Sequence, residues 1–391
     1  MVDLKKEIKL SDLVPRRKPK QGGSTRLASS SGGGTRRPSK RELVGLKVGA
    51  SQIAASRVVN NGSANLVQLA RQPLDRGVVV GGEVRDVPAL ARALDSFFDE
   101  HKLPRRGIRL GLATNRIGVR AFDVDGIADE RQLANAIRFR AHEAVSIPTD
   151  EAALDYHVVS QTANEAGGVS RRIVLAAAYR ESIDRYVEAA RAARIELYGI
   201  DLEAFALLRA VGTTSPASEN ETARAVVAVS LGHDRSTLAI SDGAVCEFTR
   251  VLEWGGGKLE AAIALNLGVS PEEAFGLKLD ASIDPDTADL SQAPKATAVR
   301  EAIGRELQKL ARELVASLQF YQSQPGSHAI SKILISGGTS RIPGLPEELA
   351  RMTRVGVKRA DPLAHVQAAA DVQARDDLAS FAIAIGLGVE A

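Results

Sequence analysis

The sequence predicts an α/β protein made of two similar halves, each opening with three strands and continuing with alternating helices and strands. In residues 43–70 an apolar run stops at a glycine turn, resumes, turns at Asn61 and Gly62, and returns. Residues 225–252 repeat this pattern, with an Asp-Gly pair at the second turn. Asn-Gly or Asp-Gly between two apolar runs is a strong signal of a β-hairpin. Both halves of the 391-residue chain therefore open alike.

The elements after each hairpin also match between the halves. Apolar periodicity predicts strand, helix, strand and helix in the first half, over Ile173–Ala178, Glu181–Ala193, Ile195–Ile200 and Leu202–Val211. It predicts a long helix, then strand, helix and strand in the second half, over Val299–Ser323, Ile330–Ser336, Leu345–Met352 and Val355–Lys358. Two facing βββαβα units form the actin-like (ribonuclease H-like) plan, in which a nucleotide sits between the hairpin turns. Two unrelated α/β domains are the alternative.

The first half is interrupted by an inserted segment. Residues 105–180 contain two short apolar runs, a helix whose apolar positions recur at Leu133, Ile137 and Ala141, and a further strand. This pattern predicts a small inserted α+β subdomain. The predicted organisation begins with a basic disordered tail over 1–41 and a first unit over 42–212, with its insertion at 105–180. A second unit covers 213–391 with a C-terminal helix at 378–389, and polar connections lie at 212–223 and 281–295.

The positive charge is concentrated in the tail. Residues 1–41 hold 12 Lys/Arg and 3 Asp/Glu, which leaves 39 basic and 45 acidic residues in the body. The tail therefore suits an anionic partner such as an anionic membrane, whereas the acidic body argues against nucleic acid. A single cysteine, Cys246, excludes an intramolecular disulfide framework.

The location of the protein is predicted from what the sequence lacks. The longest apolar run near an end, Phe381–Val389, is far shorter than the roughly 20 residues that span a membrane. The N-terminus has no apolar stretch of signal-peptide length. We therefore expect a cytoplasmic protein.

Several short segments of the sequence match one protein family. They are Ile147-Pro148 followed by Leu154-Asp155-Tyr156, the stretches 200–210, 317–321 and 336–345, and the apolar ending 382–388. In these segments the chain resembles the PilM family of actin-like type IV pilus assembly proteins, which is related to the cell-division protein FtsA. The resemblance extends over residues 42–390, and the tail lies outside it.

The resemblance implies a platform at the inner face of the cytoplasmic membrane. Its partner would be a PilN-like inner-membrane protein, whose N-terminal cytoplasmic segment would bind between the first unit and the inserted subdomain. Other components of the pilus machine would be further partners.

The resemblance also implies a nucleotide site between the two hairpin turns. ATP or another nucleotide, bound without Mg²⁺, is the implied cofactor, and an empty cleft is the alternative. The candidate residues are small and polar ones at the turns, at the start of a helix and after a strand. They are Gly49, Ser51, Gly232, Arg235, Ser236, Gly255, Gly256, Lys278, Gly337, Gly338 and Thr339.

Three positions of this site depart from the family pattern. Lys47 and Ser230 replace the two carboxylates that would hold hydrated Mg²⁺, and Phe275 replaces the glutamate that would contact the ribose. Because Mg²⁺ is held by oxygen ligands, chiefly carboxylates, we expect no metal site. No catalytic residue is assigned, and Glu203, where related ATPases orient a water, is expected to be a partly buried, paired carboxylate.

Three functions fit these residues. The first is a non-enzymatic scaffold of pilus assembly with a degenerate nucleotide cleft. The second is an active ATPase whose conformational cycle drives assembly, and the missing carboxylates argue against it. The third is an FtsA-like filament-forming protein.

Overall fold

The computed structural model describes residues 41–127, 129–144, 147–148, 150–163, 168–212, 224–243, 245–284 and 294–390. The predicted tail over 1–41, apart from Arg41, and most of the predicted connections, at 213–223 and 285–293, lie outside these residues. The chain opens with strands β1 (Arg41–Val48), β2 (Gln52–Asn60) and β3 (Ala64–Pro73), short strands β4 (Val79–Val80) and β5 (Glu83–Val84), helix α1 (Val87–Glu100) and strand β6 (Ile108–Leu112).

The inserted subdomain comes next, and the first unit then resumes. The insertion comprises β7 (Ile117–Asp125), α2 (Glu130–Ala144), β8 (Ala152–Ala163) and β9 (Val169–Tyr179). The first unit continues with α3 (Arg180–Ala192), β10 (Leu197–Leu202) and α4 (Glu203–Val211).

The second unit repeats the plan of the first. It comprises β11 (Arg224–Leu231), β12 (Ser236–Ser241), β13 (Cys246–Leu252), α5 (Gly256–Leu267), α6 (Pro271–Leu279), α7 (Pro294–Gln322), β14 (Ala329–Ser336), α8 (Leu345–Thr353) and β15 (Val357–Arg359). The chain closes with β16 (Val366–Ala368), α9 (Ala370–Gln373) and α10 (Ala382–Gly388).

The two main sheets share one topology. The first has the order β10-β6-β1-β2-β3-β16 and the second β13-β12-β11-β14-β15. In each, three antiparallel strands form the hairpins, and a strand that comes after a helix pairs in parallel with the first strand, β6 with β1 and β14 with β11. Gly62 and Gly243 both adopt φ +97° at the second turn, a conformation that glycine enters without steric cost. The duplicated units predicted from the sequence are therefore confirmed.

The boundaries of the inserted subdomain differ from the prediction. β6, predicted as part of the insertion, is fully buried in the first main sheet between β1 and β10. β9, which contains the strand predicted at 173–178 for the first unit, lies in the separate sheet β7-β9-β8. The insertion therefore runs from Ile117 to Tyr179 rather than from 105. Periodicity cannot assign short apolar runs such as these to one sheet or another.

Strand β9 packs on two cores because its side chains alternate. Ile173, Leu175 and Ala177 face α2, in a cluster with the helix positions predicted from the sequence. Val174, Ala176 and Ala178 join the core of the first unit. The inserted sheet is thus fixed to the first unit by a packed apolar face.

The end of the chain returns to the first unit. β16 pairs in parallel with β3 at the edge of the first sheet. α10 packs against α4, β1 and β2. The prediction that 213–391 forms only the second unit, with a helix over 378–389, is therefore wrong in two respects. The helix belongs to the first unit, and the α-helix starts at Ala382, after a 3₁₀ turn over Leu378–Phe381.

None of the helices in the described part of the chain combines the length and apolar character that crossing a membrane requires.

Candidate functional site

The cleft between the units lies where β1 and β11 end. The turn after β1 and the turn after β11 face each other there, and the N-terminus of α5 forms a third wall. A pocket of 350 Å³ remains between them, lined among others by Ser51, Arg76, His233, Asp234 and Glu260. This is the place at which the sequence predicts a nucleotide site.

Lys47 forms an ion pair at the bottom of the cleft. Its Nζ lies 3.4 Å from Oε2 of Glu203, the first residue of α4, and only 7% of the Glu203 side chain is exposed. Thr237 Oγ1 lies 3.5 Å from the same oxygen and donates to it. The expectation that Glu203 is a paired carboxylate is confirmed, although it is buried rather than partly buried. Its partner is the lysine that replaces a metal-binding carboxylate.

The donors at this point do not suit Mg²⁺. Lys47 brings an ammonium and Ser230, which is buried at the end of β11, brings a neutral hydroxyl. Among the described residues no group of three His, Cys, Asp or Glu side chains could hold a metal ion. An ammonium repels a divalent cation, so these residues do not fit a magnesium site.

Lys278 is engaged in a second buried ion pair. Its Nζ donates to Oε1 of Glu260 on α5, and both side chains are about one-tenth exposed. His233 Nδ1 lies 3.6 Å from the same oxygen. Burial acts to raise the pKa of Glu260, but His233 and Lys278 outweigh it and hold the pKa below its usual value. Phe275, half exposed, stacks 5.1 Å from the Lys278 ammonium.

The turn after β11 reaches across the cleft to the first unit. Arg235 Nη1 donates to the Ala113 carbonyl oxygen at 3.1 Å, and Asp234 Oδ2 accepts from the Gly81 amide at 3.1 Å. A Cβ on Gly82 would lie 1.9 Å from the Ala113 oxygen and 2.9 Å from Arg235 Nη1, so only glycine fits there. We call these five residues the cross-cleft latch. The guanidinium that the sequence assigns to nucleotide is bonded to protein here.

Most of the other predicted residues are also bonded within the protein. Ser236 Oγ donates to the Trp254 carbonyl at 2.7 Å, so this hydroxyl faces away from the pocket. Other contacts are Gly49 N to Gln52 O at 2.9 Å, Gly232 N to Arg235 O at 3.1 Å, Gly256 N to Gly232 O at 2.8 Å, Gly337 N to Ala379 O at 2.8 Å and Thr339 Oγ1 to Gly232 O at 3.3 Å.

The structure nevertheless brings the second-unit candidates together. A Cβ on Gly256 would lie 2.5 Å from Thr339 Oγ1 and 3.3 Å from Lys278 Nζ. Gly255 approaches the His233 carbonyl equally closely, and Gly338 is exposed. Ser51 lies on the opposite wall of the pocket.

The sequence analysis missed the first-unit half of the latch. The Gly81-Gly82 pair was the one local signal available, because consecutive glycines often mark a close backbone approach.

Breaking the latch should loosen the cleft. In an Arg235→Ala variant we expect amide exchange in residues 79–84 to accelerate about tenfold or more, because a charged hydrogen bond to a carbonyl contributes about 1.5–3 kcal/mol. Hydrogen–deuterium exchange measures this directly. Arg76→Ala is the matched control, because Arg76 lines the same pocket and is exposed. Unchanged exchange in the Arg235 variant would show that the latch does not hold the two units.

A family model described as type IV pilus assembly protein PilM matches residues 45–391. The chain belongs to the PilM family. The solved PilM–PilN type IV pilus biogenesis complex is similar in fold, with a TM-score of 0.72, 23% identity, and coverage of 89% of this chain and 98% of that chain. The prediction of this family is confirmed.

More distant relatives agree on the fold. The cell division protein FtsA of Escherichia coli K12 is 22% identical over 365 residues, covering 83% of this chain and 85% of FtsA. MreB5 of Spiroplasma citri, solved bound to AMPPNP, has a TM-score of 0.51 at 12% identity, covering 89% of this chain and 95% of MreB5. The predicted actin-like fold is therefore confirmed for this member of the PilM family.

Proposed function

We propose that the protein is a scaffold of the type IV pilus assembly machinery that works without hydrolysing ATP. Membership of the PilM family supports the place in pilus assembly. The Lys47–Glu203 ion pair is the observation that supports the absence of hydrolysis. It puts a positive charge where an actin-like site needs a carboxylate for Mg²⁺.

The charges of the cleft support this proposal quantitatively. A unit positive charge about 5 Å from Mg²⁺ opposes its binding by about 7 kcal/mol at an effective dielectric constant near 20. Two lysines of the cleft, the partly exposed Lys47 and the buried Lys278, already have glutamate partners, Glu203 and Glu260. A nucleotide phosphate would have to compete with a glutamate for each lysine. Because the positive charge of the lysine opposes Mg²⁺, any nucleotide that enters would bind without Mg²⁺ and remain intact.

The partner in this proposal is a PilN-like inner-membrane protein. Its N-terminal cytoplasmic segment would bind where the inserted subdomain meets the first unit, which would place the protein at the inner face of the membrane. Because Val174, Ala176 and Ala178 fill that contact, the segment would lie along its border rather than inside it.

The basic tail supports a second contact with the membrane. Its excess of nine positive charges would attract anionic lipid, and each Lys or Arg near such a surface contributes up to about 1 kcal/mol. This contact would reinforce the one made through the membrane protein.

A pull-down with and without nucleotide tests the proposal. The protein should retain a PilN-like membrane protein of the same organism equally with MgATP, with ATP and EDTA, and without nucleotide. A partner that lacks its N-terminal cytoplasmic segment should not be retained. Phosphate release should stay at background throughout.

The Lys47→Asp/Ser230→Asp double variant is the control for nucleotide, because it restores both carboxylates. We expect it to gain Mg²⁺-dependent ATP binding. Steady ATP hydrolysis by the unaltered protein, abolished by EDTA, would instead identify an active ATPase. Retention of the truncated partner would refute the proposed contact.

A further inference from the structure

A groove of 1030 Å³ lies outside the nucleotide cleft, between the inserted subdomain and the second unit. One wall is formed by β7 and the residues that precede it. The other wall is formed by β13 and α7. Where β7 comes close to β13, Arg172 Nη2 on the neighbouring strand β9 lies 3.8 Å from Glu247 Oε1 on β13 and links the inserted sheet to the second main sheet. We call this space the basic groove.

The groove has an excess of cationic side chains within an acidic body, and three of them have carboxylate partners, Arg116 with Glu83, Arg250 with Glu313 and Lys309 with Glu306. It is lined by six cationic side chains and two carboxylates, namely Arg116, Arg120, Arg250, Lys258, Lys309 and Arg312 against Glu253 and Glu313. Lys258 and Arg312 are exposed, and their side chains have no ionic or hydrogen-bonding partner among the described residues. Cations of one sign gathered in a concave site raise the local concentration of anionic ligands.

Two terminal strands border the groove, and they come close to each other over part of their length. β7 is the terminal strand of the inserted sheet, and β13 is the terminal strand of the second main sheet. All seven residues from 248 to 254 line the groove, rather than every second one. A strand lines a space in this way when its edge, and not one of its faces, points into it. An edge with unpaired amides and carbonyls is a template for an added strand.

The groove also offers an apolar anchor point. Phe320 on α7 is 52% exposed, and its ring lies 5.7 Å from the ring of Phe248. Ile117 and Trp254 line the same space. An extended chain that alternates acidic and apolar side chains would place each kind against a matching surface.

We propose that the basic groove binds an extended acidic segment of a partner protein, which adds as a strand to the edge of β7 or β13. The carboxylates of the segment pair with the cationic side chains, and its apolar residues contact Phe320. The tail over residues 1–41 is excluded as occupant by its own positive charge. A flat membrane cannot reach the floor of a groove between two subdomains. This inference rests on the groove alone and is independent of the proposed function.

A defined peptide tests the proposal on the full chain. The probe is a fluorescein-labelled decapeptide of alternating glutamate and valine, and binding is followed by fluorescence anisotropy. The expected result is saturable binding that weakens as salt increases. A decapeptide of alternating lysine and valine should not bind. Equal binding of the two peptides, or no binding of the acidic one, would overturn the proposal.

Charge reversal locates the binding. The Lys258→Glu/Arg312→Glu double variant should weaken binding at least tenfold. The Lys332→Glu/Lys358→Glu control, which changes two exposed lysines outside the groove, should stay within twofold. Unchanged melting temperatures establish that both variants fold. Unchanged affinity in the groove variant would place the peptide elsewhere and refute the proposal.

Backbone pairing and lipid are tested separately. Bound peptide should slow amide exchange in β7 or β13, and methylating alternate amides of the peptide should abolish binding. If the methylated peptide binds as well, strand addition is wrong. If phosphatidylglycerol vesicles displace the peptide, the groove is a lipid site and the proposal fails.

Discussion

Replacing Gly386 with alanine should destabilise the protein by about 2 kcal/mol or more, although alanine is the better helix former. Helix α10 lies so close to α4 that a Cβ on Gly386 would be 1.8 Å from the Ala206 carbonyl oxygen and 2.6 Å from its carbon. Both groups belong to backbone inside packed helices, so neither can give way. Overpacking of this kind costs about 1–3 kcal/mol or more, whereas alanine returns only about 1 kcal/mol of helix propensity.

Gly304 provides the matched control for this substitution. It lies inside α7, and nothing stands within 4 Å of the Cβ that an alanine would add. Gly304→Ala should therefore stabilise the protein by up to about 1 kcal/mol. Urea unfolding followed by far-ultraviolet circular dichroism measures both variants. Equal stability of the Gly386 variant and the unaltered protein would contradict the close packing of α10.

The cost should be large because the first unit holds α10 through its backbone. The last carbonyls of a helix have no hydrogen-bond donor within the helix. Here side chains of the first unit donate to carbonyls in α10 and just after it. Ser56 Oγ donates to Ala384 O at 2.8 Å and Asn60 Nδ2 to Gly388 O at 3.1 Å. Arg209 Nε donates to Gly386 O at 2.9 Å and Arg109 Nη1 to Val389 O at 2.7 Å. A shift of α10 breaks these bonds together.

Arg109 shows how deeply this contact is buried. Its side chain is among the largest fully buried ones in the described residues. Burial, together with the nearby Arg209, lowers the pKa of its guanidinium to about 10.

Replacing Lys47 with methionine should cost about 3 kcal/mol, because it leaves Glu203 buried without its cation. Removing one partner of a buried ion pair typically costs about 3–5 kcal/mol, and the partial exposure of Lys47 places it at the low end. Replacing both partners, as Lys47→Met/Glu203→Leu, should recover most of that loss, since an apolar pair avoids desolvation. A double-mutant cycle from urea unfolding measures the coupling free energy.

An exposed ion pair provides the comparison. Arg106 Nε lies 3.3 Å from Glu196 Oε2, and both side chains are mostly exposed. Its coupling free energy should be below about 1 kcal/mol. If the coupling between Lys47 and Glu203 is equally small, the pair does not organise the cleft, and the case against magnesium loses its structural basis.

The hairpins and the altered site positions could be predicted because their signals are local. A turn such as Asn61-Gly62 depends on the φ preference of one residue. The replacements at Lys47, Ser230 and Phe275 could be identified directly once the flanking motifs were aligned with the family pattern.

The partners of these residues could not be predicted, because they are distant in sequence. Arg235 and Ala113 are separated by 122 positions, and neither has a pattern that points to the other. The pairing of Glu260 with Lys278 likewise depends on how α5 and α6 pack. The strand at 108–112 was assigned to the wrong sheet, because a short apolar run carries no information about which strands lie beside it.

The return of α10 to the first unit has a consequence for synthesis on the ribosome. Domains commonly fold in order as they emerge, the N-terminal one first. Here α10, which follows the second unit in the chain, packs Ile385 against β2 and β3 and packs Ile383 and Leu387 in a cluster with α4. The first unit is translated early, but its packing is complete only after α10 has emerged from the ribosome. The apolar surface of the first unit that α10 covers therefore stays exposed until the second unit has been synthesised.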